Sequence, residues 1–431
     1  MPRPPLRLSR RVKNAIRALL IDTPLMPRRQ PPSPDGDDAV PRPSTPCPPG
    51  PILDVTACPM CGDQGRTIVN EFNKLIVLDW MPDEASARYD HAICHGCGIL
   101  YASRRPAGPR YHWLFEHFEA AIGRGPKDDI SNLLASTPTV TDAEREELRR
   151  RAARGVFVSD HTRTRRSEYL PMLLSDRLQV SVHAEILGSL LTLQGARVLE
   201  VRSRVGSLGA ILKRLYDADV STMAFFERQR VAIEEVYGLP ARSVIDFDVF
   251  TIPYEGRFDL ITANHMITHA VRPREFLATL RERLTPGGHV YFYNEPDDAE
   301  YLTEDGQSMI RRLNPFHVQA FDGPSLTRAL AANGLEVVFL HRYQGEFVCL
   351  CRLSSAPGWP RMPAKEREKR VAAHQRARDA AVLMLPPRPR QRFAGEWEAI
   401  TERAFAAGIA EIGEDGEARV RRRSGQRAHR E

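Results

Sequence analysis

The chain has 431 residues, a formal charge of +6, 42% hydrophobic residues and 27% charged ones, the proportions of an ordinary globular protein with room for two domains. No apolar run approaches the ~20 residues that a bilayer-spanning helix needs. The positive balance rests mostly on arginines, many near the two ends, with no interleaved aromatic surface. Charge therefore argues no better for nucleic acid than for a compositional bias.

Residues 1–51 are rich in proline and arginine and read as an extended, disordered tail. Within them, RLSRRVKNAIRALL sets Val12, Ile16, Leu19 and Leu20 at helical spacing among basic residues. A short helix docked on its own protein and a helix at a membrane surface, or a transit-like segment, both stay open. The stretch lacks the compact apolar core and cleavage site of a secretory signal, so a cytoplasmic location is expected.

Residues 52–108 hold two matched knuckles, CPMCG (Cys58, Cys61) and CHGCG (Cys94, Cys97), each closed by a glycine, Gly62 or Gly98. Four thiolates on two tight turns suit zinc in a closed tetrahedral site. So small a region buries little core, and a metal would supply the missing folding free energy. Such a site is structural, because four cysteines leave no coordination position for catalysis. Cys47 lies in the proline-rich tail as a bystander. Cys349 and Cys351 alternate on one strand face, where small apolar packing is the default.

Residues 109–181 are polar and helix-prone, with TDAEREELRRRAARG carrying charges of both signs up to a terminal glycine. This is a helical spacer. From 182 to 353 the pattern alternates. Strands are expected at 197–201, 220–226, 242–245, 258–263, 289–294, 335–341 and 347–353, and helices at 207–216, 228–237, 274–284 and 325–333. Apolar strands separated by amphipathic helices predict an α/β fold, a mostly parallel sheet covered on both faces. The last two strands are joined by RYQGE alone, too short for a crossover helix, so they form an antiparallel hairpin. Residues 354–431 read as a basic, proline-rich tail with one or two weak helices. Both ends are expected to be dispensable for folding.

The stretch ACPMCG…HAICHGCGILYASRRP resembles the zinc ribbon that precedes many bacterial class I S-adenosylmethionine-dependent methyltransferases. FDLITANHMITHAVRPREFLATLRERLTPGGHVYFYNEPD is similar to that family's fourth strand, helix, Pro-Gly-Gly turn and fifth strand. FHVQAFDGPSLTRALAANGLEVV resembles the segment leading to its sixth strand. The resemblance implies a Rossmann-like, seven-stranded class I methyltransferase sheet after an N-terminal zinc ribbon and helical spacer. It also implies S-adenosylmethionine as cofactor and a small-molecule acceptor, a sugar or nucleotide-sugar in similar proteins.

The chain departs from the family in ARVLEVRSRVGSLGAIL. There the family carries an acid followed by three alternating glycines. Glu200 supplies the acid and Gly206 the last glycine, but Arg202 and Arg204 stand in the first two glycine positions. Those glycines let the backbone turn sharply and let the cofactor lie close against it. The arginines either point outward or clasp the cofactor's carboxylate, while their charge beside a cationic sulfonium is unfavourable. A second reading follows, that of a non-catalytic methyltransferase-like binding or assembly protein. Of the other cofactor positions, Glu227 falls where the family's acid bonds the ribose hydroxyls. Asp248, or else Asp246, falls where it accepts from the adenine amine. In NHMITHAV, Asn264, His265 and His269 follow the fourth strand at the crevice rim, with Tyr293 also facing it. His269, and beside it His265, is a candidate general base, with a structural histidine bonded to backbone as the alternative.

Overall fold

The computed structural model describes residues 48, 50–72, 88–114, 183–184, 186–202, 206–224, 230, 233–234, 237–243, 250–302, 317–343, 346–354, 360–385, 390–413 and 417–420. The expected tail helix at 12–20 and most of the spacer lie outside them. Of the spacer only α1 (Pro109–Leu114) is described.

Seven strands form the main sheet: β5 (Arg197–Val201), β6 (Asp219–Ala224), β7 (Ala241–Ser243), β8 (Phe258–Asn264), β9 (Leu284–Pro296), β11 (Leu335–Tyr343) and β12 (Glu346–Leu353). Their order is β11-β12-β9-β8-β5-β6-β7. From β9 through β7 neighbours run parallel, and β12 lies antiparallel to both β9 and β11, as the short RYQGE connection requires. β5 and β8 are almost wholly buried, which is why they read as continuous apolar runs. The chain reverses direction across the sheet between β5 and β8. Such a switch point opens a crevice at the carboxyl ends of the two strands.

Helices cover both faces. α2 (Ser207–Tyr216) follows β5, α3 (Pro273–Glu282) follows β8, and α4 (Gly323–Ala332) precedes β11. α4 starts where Asp322 accepts from the Ser325 amide at 2.8 Å while Ser325 Oγ accepts from the Asp322 amide at 3.0 Å. This reciprocal cap satisfies donors that the first turn leaves open.

A second sheet orders β1 (Ile52–Asp54), β4 (Leu100–Pro106), β3 (Arg88–Cys94) and β2 (Arg66–Phe72), and β10 (Gln319–Ala320) adds to β4. Gln319 pairs with Tyr101 and Ala320 with Leu100. The cysteine-bearing sheet thus borrows a strand from a segment more than two hundred residues later. Its apolar core is shared too. Met60, Ile99 and Tyr101 pack in one cluster with Phe276, Leu326 and Leu330.

The region from 354 onward departs from the expected tail. Among the described residues 360–385, 390–413 and 417–420 lie α5 (Ala364–Leu383), α6 (Trp397–Ala406) and a hairpin of β13 (Ala410–Ile412) and β14 (Ala418–Val420). Ala377, Ala381 and Val382 of α5 pack on Val69, Phe72 and Ile93 of the second sheet. Arginines on the same helix are buried through ion pairs. Arg370 bonds Asp298 and Asp322, while Arg378 meets Glu71 at 3.0 Å and Glu396 at 2.9 Å. A pattern of alanines and paired arginines shows no apolar stripe, so composition alone assigns such a helix to solvent. Folding here buries charge in pairs instead.

Arg370 and Asp298 are nearly inaccessible, with side chains 6% and 1% exposed. Breaking a buried pair leaves an uncompensated charge and costs about 3–5 kcal/mol. Arg370→Ala should fall at the lower end of that range, because His374 still stands 3.4 Å from Asp298. Urea unfolding measures the loss, and Arg370→Met combined with Asp298→Leu should recover most of it.

Candidate functional site

Three neighbouring strands, β5, β8 and β9, end or bend at the carboxyl edge of the main sheet in non-glycine residues with left-handed backbone. These are Arg202 (φ 56°), His265 (φ 51°) and Asn294 (φ 58°). Side chains rarely adopt this conformation, and its cost of order 1–3 kcal/mol persists only where surroundings impose it. At Arg202 the backbone takes the left-handed conformation that glycine favours. Gly206 follows with φ 79° at the start of α2. A Cβ there would meet Ile233 at 3.1 Å and Tyr237 at 3.2 Å, so this glycine serves close packing as well as the turn.

The Arg202 side chain lies across the strand ends. Its guanidinium donates to the His265 carbonyl at 2.5 Å, joining the ends of β5 and β8. Glu200 is buried. One carboxylate oxygen accepts from the Gly209 amide at 3.1 Å and the other from the Tyr293 hydroxyl at 3.4 Å. Asn264 is buried at the end of β8 and accepts from the Asn294 amide group at 3.0 Å. Arg204, Glu227, Asp246 and Asp248 lie outside the described residues.

Beyond Asn264 the turn through His269 is fixed from below by Glu295. One oxygen of this fully buried carboxylate accepts from the amides of Met266 and Ile267 at 2.7 and 2.9 Å. The other accepts from the Thr268 amide at 3.1 Å and hydroxyl at 2.8 Å. Burial raises its pKa and the four donors offset only part of that. Gln319 donates from its side chain to the Ile267 and Ala270 carbonyls. The Val318 amide donates to the Thr268 carbonyl at 3.0 Å. This arrangement brings His317 beside His265 and His269, with ring centroids 4.8 Å (265–269), 4.8 Å (265–317) and 5.1 Å (269–317) apart. The sequence motif contained His265 and His269. His317, Glu295 and Gln319 carry no local signal, because no sequence spacing connects residues as far apart as His269 and His317, 48 positions away.

The four cysteines converge as their spacing predicts. Cys58 and Cys97 sulfurs lie 3.6 Å apart and those of Cys61 and Cys94 3.5 Å, with all four within 4.8 Å of one another. Bonded disulfide sulfurs would be about 2.05 Å apart. Sulfurs around tetrahedral zinc, at ~2.3 Å from the metal, lie about 3.8 Å apart, so the donor set fits that ion. Gly62 and Gly98 take φ 79° and 87°, and each donates its amide back to the first cysteine of its knuckle, at 2.8 and 3.1 Å. Burial pushes the Cys58 and Cys97 thiols up, while donation from the other thiols lowers Cys94 and Cys61.

A family described as a methyltransferase domain matches residues 175–340. Among solved structures, a chain of the complex between the Haloferax volcanii Trm112 methyltransferase activator and the putative methyltransferase is 13% identical. It covers 50% of this chain and 100% of that one at a TM-score of 0.36. A TehB-like SAM-dependent methyltransferase from Corynebacterium glutamicum is 16% identical, covering 40% of this chain and 86% of its own at 0.31. Magnesium protoporphyrin IX methyltransferase from Synechocystis, with bound SAM, is 12% identical, covering 50% and 98% at 0.31. No curated protein matches.

Glu295→Ala would leave three amides and a hydroxyl in the turn after β8 without their acceptor. Each buried unsatisfied group costs about 1–3 kcal/mol, and partial rehydration should limit the total to about 3–5. Glu295→Gln, which keeps one carbonyl oxygen, should lose less. Urea denaturation gives the totals, and amide exchange at residues 266–268 should accelerate selectively.

Proposed function

We propose that this protein, whose residues 175–340 match a methyltransferase-domain family, is an S-adenosylmethionine-dependent methyltransferase acting on a small molecule, a sugar or nucleotide-sugar being the first acceptor class to test. The observation that carries this reading is the left-handed Arg202. Its backbone takes the left-handed conformation that glycine favours, and its guanidinium lies between the ends of β5 and β8, a suitable partner for a carboxylate.

The described residues fit the cofactor at that end. Arg202 would hold the carboxylate, with Gly206 completing the turn and Glu200 bracing it through the Gly209 amide. Glu227 would take the ribose hydroxyls, Asp248 the adenine amine and Asn264 a place on the crevice wall. Bound there, S-adenosylmethionine supplies an electrophilic methyl carbon. The protein's part is alignment of acceptor and methyl group, with His265 and His269 placed beside the end of β8 to act on an acceptor that has a proton to lose. The cysteine quartet would hold one structural zinc.

A second reading, a methyltransferase-like binding or assembly module without catalysis, draws on the same side chain. By bonding the His265 carbonyl, Arg202 also bars the crevice between β5 and β8. Calorimetric titration with S-adenosylmethionine and its demethylated product separates the two. If Arg202 clasps the carboxylate, a charge-assisted bond of about 1.5–3 kcal/mol, Arg202→Gly should weaken binding roughly ten-fold or more. Tighter binding by Arg202→Gly together with Arg204→Gly would identify the arginines as obstacles. Silence from both proteins rejects the enzyme.

Metal analysis of the full chain, purified without added zinc, should show zinc released when Cys58→Ser or Cys94→Ser breaks the quartet. Chelation should lower the unfolding midpoint of the parent. Unchanged stability after complete chelation would reject a structural metal.

A further inference from the structure

His265, His269 and His317 bring three ligating nitrogens within 4.8 Å of one another. His269 is buried and the other two are partly exposed, so the cluster lies at the rim of the crevice. The rings are inclined by 46°, 54° and 84° to one another. They converge without stacking face to face.

We propose that these three histidines bind a divalent first-row transition metal, zinc or a close analogue, in an open site at the carboxyl edge of β8. Imidazole suits this class of ion. Three protonated rings at such spacing would repel one another, whereas one dication shared by three neutral rings does not. The backbone that carries them is already fixed. Glu295 holds residues 266–268 through four bonds. His317 lies two residues before the start of β10, which is paired with β4. Glu295 is committed to the turn, so the site offers three nitrogens and at least one coordination position for water or an acceptor oxygen. That is the layout of a catalytic metal, unlike the closed cysteine quartet.

The site's role in catalysis rests on the methyltransferase reading; metal binding itself does not. An acceptor hydroxyl bound to the ion would lose its proton more readily. His265 and His269 would then act as ligands, and the proton would pass to solvent.

The full-length protein, stripped with chelator and reloaded with zinc, should hold one more equivalent than His317→Ala or His269→Ala, with the cysteine-bound metal retained in all three. Reloading with cobalt(II) should give ligand-field bands of a nitrogen site that vanish in the variants, while thiolate charge-transfer bands persist. Thermal unfolding confirms that each variant is folded. Should His269→Ala fail to fold, His317→Ala and the cobalt spectrum of the parent decide the matter. Equal metal content in parent and variants, or no nitrogen-type bands in the parent, overturns the proposal. S-adenosylmethionine titration of the same samples separates the two ideas. Metal without cofactor binding defeats the methyltransferase reading alone, and cofactor binding without the extra equivalent defeats the metal site alone.

Discussion

The end of β9 and the two residues after it carry three buried carboxylates in four residues, Glu295, Asp297 and Asp298, and each is met by a different part of the structure. Glu295 takes the backbone of the turn after β8. Asp297 accepts from the Ala299 amide at 2.9 Å and meets Arg342 of β11 at 2.5 Å. Asp298 meets Arg370 and His374 of α5. Burial alone would raise the Asp298 pKa, but these partners hold it below the ordinary value. An uncompensated carboxylate in such a place costs several kcal/mol. The crevice turn, the sheet edge and the C-terminal helix are therefore tied to one short segment.

The same edge concentrates backbone strain. Among the described residues, four non-glycine positions have positive φ, and three of them, Arg202, His265 and Asn294, stand together there. Hydrogen bonds hold them in place: the His265 amide donates to the Tyr293 carbonyl at 2.8 Å, and Arg202 and Asn294 reach across to neighbouring strands. Strain that the surroundings impose commonly marks sites where geometry matters more than stability.

Much of this was legible in the residues. The strands from 197 to 353 showed as apolar runs, and the knuckle spacing with its glycines led directly to the sulfur cluster. The helix at Ser207–Tyr216 was readable to its ends. The histidine cluster was half visible, since His265 and His269 share one motif while His317 arrives only through tertiary pairing. α5 hides from sequence patterns for a physical reason. Sequence patterns report burial through apolar periodicity, and this helix buries Arg370, His374, Arg378 and Asp379 by matching charges from distant segments. The partners Glu71, Asp298 and Asp322 carry no local sign of their use. Arginine-rich composition therefore looked like solvated chain.

The pairing of α5 with the cysteine-bearing sheet has a consequence in time. Arg378 bonds Glu71 across 307 positions of chain. At a synthesis rate of about 5–20 residues per second, the first partner waits roughly 15–60 s for the second. During that interval the face formed by Val69, Phe72 and Ile93 stands uncovered on the nascent chain. That outer face stays adhesive until α5 leaves the ribosome. Slowing translation of the codons for α5 should therefore aggravate aggregation, whereas an equal delay after they have emerged should not.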